Sequence, residues 1–176
     1  MFLWFLSRID EVEVSGELEE KTILLAEDDP AHEELFRRAV EQSPIPCHVE
    51  VVHDGVEAIE YLFATGAYGT RDPHDMPDLI VLDLKMPRMD GLQVLQVLRR
   101  VRGTDQTRFA PLVVLSCSEN DHDITEAYRR GAQSYIPKPQ DYPQFARAIC
   151  ETLEYWLGLN RPVPRARAWE YMHEGL

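Results

Sequence analysis

Chemistry in this chain is concentrated where apolar runs stop. Leu79-Ile80-Val81-Leu82 runs into Asp83, and Thr22-Ile23-Leu24-Leu25-Ala26 runs into Glu27-Asp28-Asp29. Two further runs end on groups of different character. Leu112-Val113-Val114-Leu115 ends on Ser116, and Ser134-Tyr135-Ile136 leads to Pro137-Lys138-Pro139. Short apolar runs bounded by turn residues read as strands, and those without alternation as strands buried on both faces. In open α/β sheets, ligands bind beyond the carboxyl ends of the parallel strands. Asp29 has a purely structural explanation, as an N-cap with Pro30 at the first helical position. Glu27 and Asp28 have none, because they belong to the strand end itself; Asp83 has one structural alternative, a cap for the loop that follows it.

The elements that must position these groups follow in a regular order. After the first strand, Leu35, Phe36, Ala39 and Val40 recur at helical spacing. Val49 to Val52 reads as the next strand, and Asp54-Gly55 turns into a helix carrying Val56, Ile59, Leu62 and Phe63. Residues 66–77 form a long connection, of the kind that is usually functional or mobile. The strand ending at Asp83 is followed by a helix with Leu92, Val94, Leu95 and Leu98. Ile124, Ala127 and Tyr128 mark a short helix closed by Gly131. Pro137 cannot donate to a ladder, so the strand at residues 134–136 belongs at a sheet edge. The last helix is expected to carry Phe145, Ala148, Ile149, Leu153, Trp156 and Leu157. Strand and helix alternate through the chain, which predicts a doubly wound parallel sheet with right-handed crossovers and helices on both faces.

Carboxyl ends of parallel strands share one edge, so Glu27, Asp28, Asp83, Ser116 and Lys138 are expected to converge. Three carboxylates in one pocket repel, and each raises the pKa of its neighbours unless a cation intervenes. A hard divalent ion held by oxygen is the natural remedy, and Mg²⁺ favours a few carboxylates with water and phosphate. A carboxylate can also attack a phosphoryl group and become an aspartyl phosphate. Catalysis of such a transfer is mostly positioning and charge neutralisation. Lys138 offers a point charge to one phosphoryl oxygen and Ser116 a hydroxyl to another.

Composition narrows the classes. A length of 176 residues suits one domain with tails: an extension at 1–20, a core domain at 21–158 and a tail at 159–176. A formal net charge of −13 disfavours duplex nucleic acid and anionic membranes as partners. The basic arm Arg161, Arg165 and Arg167, interrupted by prolines, reads as a solvated tail. Three widely spaced cysteines make no disulfide framework, and a reducing cytoplasm fits best. The six histidines show no metal-ligand spacing. The opening run Met1-Phe2-Leu3-Trp4-Phe5-Leu6 is far too short to span a bilayer and lacks the features of a cleaved signal.

At five separated positions, in order, the chain resembles the receiver domain of two-component response regulators. The resemblance covers residues 21–157 and implies a flavodoxin-like sheet of order 2-1-3-4-5 with five helices. It implies Asp83 as phosphoacceptor, and Mg²⁺ bound by Asp28, Asp83 and the backbone carbonyl of Lys85, with Glu27 acting through water. It further implies Ser116 as the switch hydroxyl, Tyr135 as the aromatic switch, Lys138 as the phosphate contact and a cis Lys138–Pro139 bond. Serine stands where threonine is usual at 116, Cys117 follows where a smaller residue is frequent, and Pro137 before the lysine is unusual. With its long 66–77 connection and no output domain, the chain looks like the stand-alone regulators paired with cyanobacterial phytochrome-type histidine kinases. Such regulators tend to form homodimers through the fourth helix, fifth strand and fifth helix.

Other classes remain to be weighed. A haloacid-dehalogenase-type phosphatase needs an aspartate two residues beyond its nucleophile, and Lys85 stands there. A flavin carrier needs a hydroxyl- and glycine-rich phosphate loop, and Glu27-Asp28-Asp29 would repel the phosphate. A receiver-like module that binds partners without phosphorylation differs only by assay.

Overall fold

A computed structural model of the chain describes residues 19–101 and 110–161. The apolar opening run, the domain boundary at residue 20 on its upstream side and the arginine-bearing tail beyond residue 161 lie outside the described residues. β1 (Lys21–Ala26), β2 (Cys47–Val52), β3 (Leu79–Leu82), β4 (Leu112–Ser116) and β5 (Ser134–Pro137) form one parallel sheet in the order β2-β1-β3-β4-β5. Between and after them come α1 (Pro30–Val40), α2 (Gly55–Leu62), α3 (Gly91–Val101), α4 (Asp121–Arg129) and α5 (Tyr142–Leu153). This is the flavodoxin-like order expected from the sequence. Among the described residues no helix is long and apolar enough to cross a membrane.

The three central strands account for the topology. β3 and β4 are buried at every position, so each needs a helical layer on both sides. Two apolar clusters supply those layers. One sets Leu24, Ile80, Leu82 and Val114 against Leu62, Leu95 and Leu98, and the other sets Ile23, Leu25, Val81 and Leu115 against Phe36, Phe145 and Ile149. Alternate residues of one strand thus serve opposite layers, as a period of two requires.

Helix starts follow local chemistry. Asp29 caps α1 by accepting from Ala31 N at 2.9 Å, with Pro30 following it. Asn120 and Asp141 cap α4 and α5 in the same way. Asp90 and Gln93 form a reciprocal capping box at α3, at 2.8 and 2.9 Å. Gly131, with φ of +102°, closes α4 in the left-handed region where a side chain would be strained.

Register sets the site. Ala26 pairs with Leu82, so Glu27 and Asp83 leave adjacent strands side by side. Ser116 pairs with Pro137, which puts Lys138 one step beyond the end of β4. β5 is an edge strand, and there Pro137 disturbs no second neighbour.

Four local expectations are revised. β2 begins at Cys47, two residues before the expected Val49. α5 stops at Leu153, and Trp156 and Leu157 lie in a π-helical turn, Glu154–Leu159, not in the α-helix. The connection at 66–77 is held in place: Arg71 stacks over the Tyr61 ring at 3.8 Å and donates to the Tyr61 carbonyl at 2.6 Å. The Lys138–Pro139 bond is trans, not cis. An X–Pro bond prefers trans by only about 0.5–1 kcal/mol, and the cis expectation rested on the resemblance, not on any residue of this chain.

Gly91 shows how tightly the loop after β3 is packed. A Cβ there would overlap the Asp83 carbonyl oxygen and lie 2.8 Å from Leu84 Cα, both backbone atoms that cannot swing away. Gly91→Ala is therefore expected to cost about 1–3 kcal/mol. Urea unfolding checks this, as a lower midpoint with an unchanged slope.

Candidate functional site

The strand ends open into a cleft of about 290 Å³ lined by Glu27, Asp28, Asp29, His32, Asp83, Lys85 and Cys117. Three of its acids stand close. One carboxylate oxygen from each of Glu27, Asp28 and Asp83 lies within 4.8 Å of the others. Glu27 and Asp83 are nearly closed off, at 2% and 6% exposure, whereas Asp28 faces solvent. Two buried like charges at that separation repel by roughly 3–4 kcal/mol at an effective dielectric constant of about 20.

Lys138 answers part of that repulsion. Its Nζ donates to Glu27 Oε2 at 2.7 Å and to Asp83 Oδ2 at 2.8 Å, and the residue is only 6% exposed. Burial works to lower the Lys138 pKa, but the charge and hydrogen bond of Asp83, then Glu27, outweigh it and hold the ammonium above its ordinary value. The Glu27 pKa is raised too, which for an acid disfavours the charged form. Burial, the largest influence, raises its pKa despite the Lys138 contact. The cluster of three carboxylates and one ammonium is thus still short of positive charge.

The remaining expected residues sit around this core. Ser116 is fully buried at the end of β4, its Oγ accepts from Ser118 N at 3.3 Å, and its carbonyl accepts from Lys138 N at 2.8 Å. The Lys85 backbone N–H donates to Asp83 Oδ1 at 3.2 Å, which turns the loop after β3 back over the acid. Tyr135 lies against the core on the α4 side, and its hydroxyl donates to the Ser118 carbonyl at 2.7 Å. Ser118 Oγ in turn donates to Asp123 Oδ2 at 2.6 Å. Ser116 and Tyr135 are therefore linked through one short loop, with only Cys117 between Ser116 and Ser118.

One cleft residue escaped the sequence reading. His32 Nδ1 lies 3.3 Å from Glu27 Oε1 and 3.3 Å from Lys138 Nζ. Its place in the first turn of a helix that starts at a strand end was the available signal, although packing decides which way the ring turns. Spacing searches miss it because its partners are distant in sequence.

The donor set fits a hard divalent ion. All three close donors are carboxylate oxygens, one buried beside the lysine, one buried at the strand end and one at the open mouth. That suits Mg²⁺ or Mn²⁺ with water filling the remaining positions, and suits a thiolate-seeking metal poorly.

Comparison with known proteins points the same way. The model of the response regulator receiver domain family matches residues 23–150. The chain is similar to the probable methanogenesis regulatory protein FilR2 of Methanothrix harundinacea, at 37% identity over 139 residues covering 79% of this chain and 85% of that one. It is similar to response regulator Rcp1 of Synechocystis, at 30% identity over 137 residues covering 78% and 89% of the two chains. The Mn²⁺-bound structure of Rcp1 aligns with a TM-score of 0.72 at 27% identity, over 82% of this chain and 99% of that one. The phosphorylated cyanobacterial phytochrome response regulator RcpA aligns with a TM-score of 0.74 at 34% identity, again over 82% and 99%.

The electrostatic account is tested first in metal-free protein and then with added metal. Because the Glu27 pKa is raised on folding, the folded state holds that proton more tightly, and stability should fall as pH rises from 4.5 through the raised value. Glu27→Gln should flatten that limb of the urea midpoint against pH. Added Mg²⁺ should stabilise the protein, by about 2.7 kcal/mol at a hundred times its Kd. Asp28→Asn should raise the metal-free melting temperature and abolish the Mg²⁺ increment, read by thermal melts with and without chelator.

Proposed function

The chain belongs to the response regulator receiver domain family, and from that membership we propose that it accepts a phosphoryl group on Asp83 from the histidine of a sensor kinase. In the transfer the phosphorus–nitrogen bond of the phosphohistidine breaks, a bond forms to an Asp83 carboxylate oxygen, and the imidazole leaves. The contact of Lys138 Nζ with Asp83 Oδ2 at 2.8 Å, beside the Asp28 carboxylate, carries this reading. It puts a fixed positive charge where a new phosphoryl oxygen must arrive.

The roles follow from position. Asp28, Asp83 and the Lys85 carbonyl would hold Mg²⁺, with Glu27 reaching it through water. When bound, the ion supplies the positive charge that the cluster lacks and shields the entering phosphoryl group. Lys138 keeps its ammonium oriented through Glu27, and so remains paired when Asp83 is modified. The buried Ser116 hydroxyl donates to a second phosphoryl oxygen. Drawing Ser116 inward moves the loop to Ser118, to which the Tyr135 hydroxyl is bonded, and the α4–β5 surface changes with it. The domain thus assists its own phosphorylation and dephosphorylation, and acts as a signalling protein without metabolic turnover.

Similarity to Rcp1 and RcpA supports a phytochrome-type kinase as the donor. A cytoplasmic location and a homodimer through α4, β5 and α5 belong to the same reading. The assay is incubation with acetyl phosphate and Mg²⁺. One phosphorylated site is expected, labile to hydroxylamine and lost in Asp83→Asn. Normal labelling of the Asp83→Asn protein would overturn the assignment.

A further inference from the structure

Asp54 is buried, at 4% exposure, yet it does not line the acidic cleft. Its two oxygens have separate tasks. Oδ1 caps α2, accepting from Val56 N at 2.8 Å and Glu57 N at 3.0 Å. Oδ2 receives the guanidinium of Arg88, with Nε at 2.5 Å and Nη2 also in contact. Nη2 is shared with Glu57 Oε1 at 3.2 Å. Burial works to raise the Asp54 pKa, but the Glu57 N–H, the Arg88 guanidinium and the Val56 N–H together bring it below its ordinary value. The carboxylate is therefore a charged, four-way junction between the start of α2 and the loop that follows Asp83.

That loop is the one that carries Lys85. Arg88 lies three residues beyond it, with φ of +59°, a left-handed conformation that suits glycine and strains arginine. The side chain that makes the conformation costly is the one that reaches back to Asp54. A second contact runs alongside: Gly55 N donates to the Met89 carbonyl at 3.1 Å. No side chain fits at Gly55, where a Cβ would stand 2.6 Å from Val94 Cγ2 and 2.9 Å from Met89 Cβ. Strained backbone held by over-determined contacts is often a sign of a functional constraint.

We infer that Asp54 and Arg88 form a clamp from the β2–α2 corner onto the loop after β3, and that this clamp positions the Lys85 carbonyl for the divalent ion. The inference rests on the metal site proposed above. Arg88 touches neither metal nor phosphate; it is a positioning residue that acts through three residues of backbone. Outer partners of metal ligands commonly govern affinity by ten- to a hundredfold, and a loop that keeps other fastenings when one is removed should lie at the lower end.

The test reads Mg²⁺ affinity by calorimetry and, separately, melting temperature in chelator. Arg88→Gly removes the guanidinium while relieving the left-handed backbone. Its metal-free melting temperature should be kept or raised, whereas its Mg²⁺ Kd should weaken about tenfold. A merely structural ion pair would not separate the two readings in this direction. Asp54→Asn keeps a good helix cap but replaces the charged acceptor facing Arg88 with an NH2 donor, so it should weaken Mg²⁺ binding similarly. The double variant should be no weaker than either single one, and Arg88→Lys should recover part of the affinity. If Arg88→Gly does not fold, Asp54→Asn decides alone. A Kd within about twofold of the parent in Asp54→Asn, against Mg²⁺ binding that Asp28→Asn abolishes, overturns the clamp and leaves phosphoryl acceptance standing. Absence of Mg²⁺ binding in the parent overturns the clamp and the metal site together.

Discussion

The Lys138 ammonium, closed in between Glu27 and Asp83, is the interaction on which the site depends. A lone carboxylate at either position would be costly to bury, and the two together more so. With the lysine between them, both can remain inside the fold. Asp28 adds a further negative charge at the mouth. The arrangement is therefore folded but under-neutralised, which is the condition in which a metal ion and a phosphoryl group are welcome.

The sheet makes this possible without any loop having to close over it. Adjacent parallel strands end in register, so Glu27 and Asp83 arrive side by side, Ser116 arrives one strand further on and Lys138 two. The rigid part of the molecule thus holds the charges. The parts that can respond are the short connections after β3 and β4, each fastened at identifiable points. The β4–α4 connection is held by Tyr135 and Asp123 at Ser118. The β3–α3 connection is held by the capping box at Asp90, the close fit of Gly91 and the corner at Asp54. A signal from the site must act against these fastenings.

Much of this was legible before any coordinates. The apolar runs at 22–26, 79–82 and 112–115 read as buried strands, and their alternation with helical patterns predicts a parallel sheet. Asp29-Pro30 and Gly131 announce helix ends through local chemistry that needs no tertiary partner. The expectation that Glu27, Asp28, Asp83, Ser116 and Lys138 converge followed from the rule that such strands end on one edge. Boundaries were less legible. The π-helical turn at Glu154–Leu159 continues an apolar pattern that a sequence reads as plain helix. The 66–77 connection looks loose until Arg71 is seen lying on Tyr61.

Sequence alone determined which chemical groups meet, because strand polarity and order follow from hydrophobic pattern and chain chirality. Only the tertiary structure decided which oxygen each cation takes, that the His32 ring hangs into the cleft, that Arg88 turns back to Asp54, and that the Lys138–Pro139 bond is trans. The Lys138 and Arg88 contacts depend on distances of a few ångströms between side chains 34 to 111 positions apart. No local propensity encodes such distances; they exist only once the packed layers have fixed where each backbone stands.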